Sequence, residues 1–444
     1  MKNVSLIIFC FSLLTIKLLA VGEDTLFYTD DYNIILDSIE IVGNEITKDF
    51  IIRRELSFSP GDTLNPALAS YFRERIYSLG IFNDVRLKPY RINQTNILKI
   101  EIEESWYIYP LPFVELKDRD WNKISYGLNV LWKNFRGRNE TVRGRFALGY
   151  DPSLSFSYLN PNLHYNLSLY HQSQISFSTS TNKSKTAEEL YGSQFEQKIY
   201  SGRVTFGKRF GLFHRVSINS GYDYIETPFY ISGINASNSR IDRTPVLGLS
   251  YIYDTRDLVQ FPTNGIYAFV NIETKGFGVD DISYKVADLD FREYRTFFKK
   301  LTAKWRLAGR HTGSGLVPYY DFSYLGFTER VRGYFYKGQR EGNDRLISSL
   351  EFNFPIIEET RINLYFIPLL PKSLLSYRVA LISELFAETG ATRLNGEPIK
   401  IKSFDTGYGT GLSLLLLPYA ILRFEFAIND NGNSEWIFDI GASF

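Results

Sequence analysis

From Trp106 to Phe444 apolar and polar residues alternate in segments of about ten, separated by turn residues, the period of a strand with two unlike faces. Val216, Ile218, Tyr222 and Tyr224 share one face, while Ser217, Asn219, Gly221 and Asp223 share the other. Leu301, Ala303, Trp305 and Leu307 likewise oppose Thr302, Lys304 and Arg306, and Leu422, Phe424, Phe426 and Ile428 oppose Arg423 and Glu425. A soluble sandwich also alternates, but its polar face looks at water and its strands carry fewer outward aromatics. The pattern predicts a mostly β chain whose residues 105–444 form a transmembrane antiparallel β-barrel of about 16 strands, an even number as expected for a single-chain barrel.

Parity sorts the connections. If the first strand, near Trp106 to Leu116, runs outward, the long connections around 179–197, 226–243 and 312–344 lie on the outer side. The short ones, such as Phe135 to Asn139 and Lys299-Lys300, then lie on the inner side, with Pro355 to Leu375 a long exception.

Ahead of residue 105 the period changes. Ile39, Ile41 and Gly43 open as a strand, Thr47 can cap a short helix through Leu56, and Pro60-Gly61-Asp62 is a turn. Asn65 and Pro66 start a second helix, with Leu68, Phe72, Ile76 and Leu79 at helical spacing and Gly80 ending it. Strands from Val85 to Arg91 and Ile97 to Glu103 follow. Residues 37–104 thus read as one small α+β domain of order β-α-α-β-β, and 23–36 as a linker. Residues 1–22 have the layout of a secretory signal: a basic start at Lys2, an apolar run from Val4 to Ala20, and Ala20-Val21-Gly22 before Glu23. Cys10, the only cysteine, lies in that run, so the processed chain would carry neither disulfides nor thiolate metal sites.

Composition narrows the function classes. Charge is balanced, 50 basic against 49 acidic residues, which gives no footprint for nucleic acid. The 31 tyrosines and 35 phenylalanines suit aromatic girdles at two membrane interfaces. No Gly-x-Ser-x-Gly elbow or His-Glu-x-x-His motif is present, and His164, His171, His214 and His311 are scattered, so neither an enzyme, a cofactor nor a metal site is expected. Gly407, Gly409 and Gly411 alternate on one strand face and read as a thinned barrel wall rather than a phosphate loop.

Several motifs remain. Ile39-Glu40-Ile41-Val42-Gly43-Asn44, with Leu79-Gly80-Ile81-Phe82-Asn83-Asp84-Val85, resembles a polypeptide-transport-associated (POTRA) domain. Tyr253-Asp254-Thr255-Arg256-Asp257 followed by Phe261-Pro262-Thr263-Asn264-Gly265 resembles a periplasmic turn of the outer-membrane protein assembly superfamily, the BamA-like bacterial surface antigen family. Arg256 can bridge neighbouring carboxylates there, while Pro262 and Gly265 set the turn. Val331-Arg332-Gly333-Tyr334 stands between the eleventh and twelfth strands, where that family folds a long loop into the lumen. The resemblance pairs Arg332 with acidic groups on the next two strands, here Glu351 and Glu388, the latter where aspartate is more usual. Parity agrees: Leu350, Phe352 and Phe354 face lipid, so Glu351 faces in, and Leu385 and Ala387 do the same for Glu388. Phe438, Ile440, Ala442 and Phe444 share a face, and the terminal aromatic resembles the C-terminal targeting signal of outer-membrane barrels.

The resemblance implies a protein of the bacterial outer membrane with its POTRA domain in the periplasm. It would insert outer-membrane proteins or translocate polypeptides, with the lipid bilayer and unfolded client chains as partners and room for periplasmic or lipoprotein accessory subunits. The alternatives are a passive channel or a surface antigen on the same scaffold.

Overall fold

In the computed structural model the described residues are 25–28, 31–116, 121–279, 281–326, 329–336, 340–395, 397–398 and 400–444. The expected export signal, 1–22, and Cys10 within it lie outside them.

Sixteen antiparallel strands form one sheet in chain order, from Ile108–Leu116 to Ser434–Ile440. The second to eighth are Ile124–Phe135, Glu140–Gly149, Ser153–His164, Leu169–Thr181, Glu196–Phe210, His214–Glu226 and Ile241–Asp254. The ninth to fifteenth are Gly265–Lys275, Tyr284–Phe297, Leu301–Gly313, Asp344–Asn363, Ser376–Arg393, Asp405–Leu417 and Ala420–Asn429. Alternation sorts the two faces: Ile218, Leu249 and Phe424 are exposed on the outer wall, whereas Ser217, Ser250 and Glu425 are buried toward the inside. The polar side chains of a barrel thereby face the lumen and the apolar ones the hydrocarbon.

The inner-side connections 136–139, 165–168, 211–213, 298–300 and 418–419 are short, and the outer-side connections 182–195, 227–240 and 314–343 are long. The long inner exception expected from Pro355 to Leu375 narrows to 364–375, because the twelfth strand continues to Asn363 through register shifts at Pro355/Ile357 and Ile357/Thr360. Proline cannot donate to a ladder, so the strand bulges there and goes on.

The N-terminal domain has Thr95–Glu104 between two neighbours, parallel to Ser38–Val42 and antiparallel to Phe82–Ile92. Helices Asp49–Arg53 and Pro66–Tyr77 pack on it, burying Ile51, Ile52, Phe72 and Ile76 against Leu98 and Ile100. Asn65 caps the longer helix by accepting from the Leu68 N–H at 2.9 Å. Two expectations are corrected. Thr47 is not a cap, since the short helix begins after Lys48 with no side-chain cap bond. Its hydroxyl donates to Glu104 at 2.5 Å and accepts from Asn134 of the second barrel strand at 2.8 Å. Nor are the described residues of 23–36 a bare linker: Thr25–Phe27 pairs with the Phe82–Ile92 strand, and Ile34–Ile35 pairs with Thr63–Leu64. Tyr32, Ile34 and Leu36 alternate into the domain core, a strand signal in its own right.

This domain seats on the inner mouth of the barrel. The Lys48 N–H donates to the Gly137 carbonyl at 2.9 Å, Phe50 meets Tyr165 edge-on at 5.2 Å, and Asn83 donates to the Ser373 carbonyl at 2.6 Å. Its core runs on into Leu258, Phe261, Leu415 and Ile421 of the barrel. Across the join Arg378 grips Glu74 at 2.9 Å, and Arg209 holds both oxygens of Glu55, at 2.6 and 2.9 Å. Burial alone would raise the Glu55 carboxyl, but Arg209, Arg54 and Arg75 outweigh it and hold the group down at about 2.

Candidate functional site: a loop bound in the lumen beside an open seam

The connection 314–343 leaves the eleventh strand and turns back through the barrel. A small hairpin, Ser323–Leu325 with Arg340–Gly342, brings its two limbs together. Val331 then packs among Ala308, Leu325 and Ile347 of the wall and loop, which fixes the height of the next residue. Gly333 holds φ +98°, a backbone that side chains other than glycine adopt with strain, and it turns the chain toward the last strands.

Between these two residues Arg332 is only 3% exposed. Its Nη2 donates to Glu388 at 2.6 Å and to Glu351 at 3.2 Å, and its Nη1 donates to Glu425 at 2.7 Å. The guanidinium carbon lies over the Phe386 ring, 3.6 Å from its centroid. Lys304 on the eleventh strand donates to Glu351 at 3.0 Å, and Arg423 to Glu425 at 2.9 Å, so neighbouring cations share the carboxylates. A planar, forked donor can serve three acceptors from three strands, where an ammonium on a flexible stem presents a point charge.

The structure thus brings Arg332, Glu351 and Glu388 together. Glu425, with Glu384 4.0 Å from Nη1, completes a ring that the motif reading missed. The available signal was parity: Glu425 stands between Phe424 and Phe426, an acid facing in between two aromatics facing out. Glu435 was missed for the same reason. One of its oxygens accepts from the backbone N–H groups of Gly333 and Phe335, at 2.8 and 2.7 Å. Tyr334 bonds Asp430 through its hydroxyl, so Gly333 and Tyr334 are fastened to the last two strands and the turn between them. Of the alternate glycines at 407, 409 and 411, Gly407 serves this contact: a Cβ there would lie 1.7 Å from the Arg332 carbonyl oxygen, whereas Gly409 and Gly411 lie against the wall itself. The wall is thin there because the loop backbone presses on it.

The turn motif after the eighth strand divides its charges differently from expectation. Arg256 does not bridge several carboxylates; it makes a two-pronged pair with Asp254, both bonds at 2.8 Å, over the Tyr267 ring. Asp257 instead accepts from the backbone N–H groups of Leu258, Thr263 and Asn264, closing the loop that carries Pro262 into Gly265, φ +112°. At the C-terminus Phe438 and Ile440 are exposed on the outer wall, but Phe444 is buried. The last strand ends at Ile440, Gly441 turns the chain at φ +123°, and the Phe444 carbonyl accepts from Tyr294 on the tenth strand at 3.5 Å. The shared face expected for Phe438, Ile440 and Phe444 therefore stops at the turn.

Among the described residues no pairing joins the first strand to the last, so the sheet has two free edges. One of them belongs to the strand that carries Glu435 and so holds the loop.

The Omp85 superfamily domain matches residues 134–444, and the surface antigen variable number repeat, the POTRA domain, matches residues 34–105. Outer membrane protein assembly factor BamA of Neorickettsia risticii (strain Illinois) is 39% identical over 67 residues, 15% of this chain and only 9% of that relative's length. The solved structure of BamA from Haemophilus ducreyi lacking POTRA domains 1-3 superposes with a TM-score of 0.53 at 17% identity, over 94% of this chain and 89% of that one. CdiB from Escherichia coli superposes with a TM-score of 0.55 at 11% identity, over 91% and 73%. At such identities the structural likeness is one of fold.

Proposed function

The chain belongs to the Omp85 superfamily, and from that premise we propose that it assembles outer-membrane proteins or passes polypeptides across the outer membrane. The barrel spans the outer membrane, with the POTRA domain on the periplasmic side. Its partners are the lipid bilayer and unfolded client chains, and the exposed faces of the POTRA domain leave room for accessory subunits. It works without covalent catalysis or a cofactor.

The observation that carries this reading is the unclosed sheet. An unpaired backbone polar group in hydrocarbon costs several kcal/mol, which is why spanning sheets close. Two free edges in one barrel wall are a liability for a passive pore and a template for a strand that is yet to be paired. A channel is disfavoured by the lumen as well, since the loop crosses it and the POTRA domain sits on its mouth. The Arg332 cluster supports a loop held in one place beside the seam while the edges engage and release.

Depletion of the protein followed by comparison of the outer-membrane proteome tests the proposal. Broad loss of barrel proteins marks an insertase, and loss of a single protein marks a dedicated translocator. An unchanged proteome overturns the reading and leaves the channel or surface-antigen role in its place.

A further inference from the structure

The POTRA domain and the barrel wall enclose a cavity of about 750 Å³, a size at which small molecules are held. Asn139, Leu212 and Phe213 of the inner-side turns belong to its lining, which places it at the periplasmic mouth. Six arginines line it, Arg54 and Arg75 from the POTRA domain and Arg203, Arg209, Arg215 and Arg256 from the wall. They face four carboxylates: Glu55, Asp254 and Glu273 in the lining, and Asp223 behind Arg203. The cavity therefore carries a surplus of two positive charges.

The ion pairs show where that surplus sits. Glu55 is shared by three cations, Arg209 at 2.6 Å, Arg75 at 3.1 Å and Arg54 at 3.4 Å. Arg256 holds both oxygens of Asp254, which leaves Arg215, half-exposed to the cavity, 3.9 Å from that carboxylate. Burial, with Arg209 and Arg215 nearby, holds the Arg54 guanidinium down to about 10 against the pull of Glu55. Like charges thus press on one another across the join with too few acids between them. Beside them stand Gln172 and Gln174, of opposite parity to the lipid-facing Ile175 and so exposed to the lumen. Neither amide has a side-chain partner among the described residues.

We propose that this cavity binds a small phosphate monoester with a hydroxylated body, a sugar phosphate in class, and that its occupancy draws the POTRA domain onto the barrel. A phosphate monoester brings about 1.5 to 2 negative charges at neutral pH, which matches the surplus, whereas a carboxylate or a phosphodiester brings one. Its free oxygens suit forked donors from both sides of the join, Arg54 with Arg209 and Arg215. The amides of Gln172 and Gln174 offer donors and acceptors to its hydroxyls. The enclosed position, between the POTRA domain and the lumen loop, suits a solute rather than a polymer or a bilayer lipid. An anion held by both bodies favours the seated arrangement in proportion to its saturation. The site stands whether the barrel inserts, translocates or conducts.

The experiment uses the full chain in outer-membrane lipid vesicles, with glucose 6-phosphate as the probe. Glucose, inorganic phosphate and sodium chloride at matched ionic strength are the comparisons. Binding is read by calorimetry, and seating by hydrogen exchange at helix Asp49–Arg53. The expected result is one saturable site for glucose 6-phosphate, weaker binding of inorganic phosphate and none of glucose. At ten times its dissociation constant the probe should slow exchange in that helix about tenfold. Arg215→Gln should weaken binding about tenfold or more, and Arg215→Lys less. Gln172→Leu with Gln174→Leu should bring glucose 6-phosphate down to the affinity of inorganic phosphate. Arg295→Gln, at an exposed arginine of the tenth strand outside the lining, should change nothing. No saturable binding by the wild-type chain, or binding unchanged in an Arg215→Gln variant of wild-type gel mobility, overturns the site. Inorganic phosphate binding as tightly as glucose 6-phosphate overturns the sugar assignment, and binding that leaves exchange unaltered overturns the link to the seat.

Discussion

Glu388 holds Arg332 at both ends: one carboxylate oxygen accepts from the guanidinium Nη2 at 2.6 Å and the other from the Arg332 backbone N–H at 2.9 Å. A single thirteenth-strand side chain thus sets both where the loop lies and where its charge points. Glu351 and Glu425 share the guanidinium from the twelfth and fifteenth strands, so the loop ties together walls that the ladder joins only in sequence.

Arg332→Lys should lose more than its retained charge suggests, because an ammonium cannot serve Glu351, Glu388 and Glu425 with this geometry. Arg332→Ala leaves the buried Glu388 without its cation while Lys304 and Arg423 still serve Glu351 and Glu425, and removing one partner of a buried pair costs on the order of 3–5 kcal/mol. Heat-modifiable gel mobility should show both variants unfolding at lower temperature than wild type, alanine the more so. Wild-type heat resistance in Arg332→Ala would mean that the loop is held by other contacts.

Gly407→Ala is expected to lift the loop, since its Cβ would meet the Arg332 carbonyl oxygen at 1.7 Å. Overpacking of this kind costs about 1–3 kcal/mol. Gly202→Ala and Gly144→Ala, where an added Cβ meets open space, are the controls. Proteolysis at the loop, read by mass spectrometry, should accelerate only in the Gly407 variant.

The seat of the POTRA domain should depend on acid in a defined direction. The Glu55 carboxyl is held down at about 2, below the ~4.3 of an unfolded glutamate, so its contribution is complete above that ordinary value and is withdrawn as pH falls toward 2. Hydrogen exchange at helix Asp49–Arg53 should be unchanged between pH 7 and 5, after correction for the intrinsic rate, and should rise below about 4. Glu55→Gln should show the loosened state already at pH 7. Equal protection in the two proteins at pH 7 would remove Glu55 from the seat.

Deleting 37–104 should leave a barrel that folds in detergent, because every strand pairing of the sixteen-stranded sheet lies within the barrel and none uses the deleted domain. It should conduct more freely, since the contacts of Lys48, Phe50 and Asn83 with the mouth are gone. Assembly activity should fall with the loss of a sheet edge that can pair with extended clients. A deleted form that still supports normal assembly would reduce the domain to a spacer.

The alternation along the chain determined a great deal. A period of two over segments of about ten residues set the barrel, its strand number and the inward direction of Glu351 and Glu388, since the backbone itself sends neighbours to opposite faces. The helix capped by Asn65 was equally readable, because a cap and its helix are local. Wherever a residue's partner came from a distant part of the chain, the reading failed. Thr47 went to Asn134 instead of capping its own helix, Tyr32 to Leu36 went into a core instead of a linker, and Phe444 turned inward to Tyr294. Glu425 and Glu435 had the right parity, yet only the crossing of the loop decided that they, among several inward acids, would hold it. The seam is the clearest case. The number of strands can be read from the period, but that no pairing among the described residues joins the first strand to the last follows only from the assembled sheet.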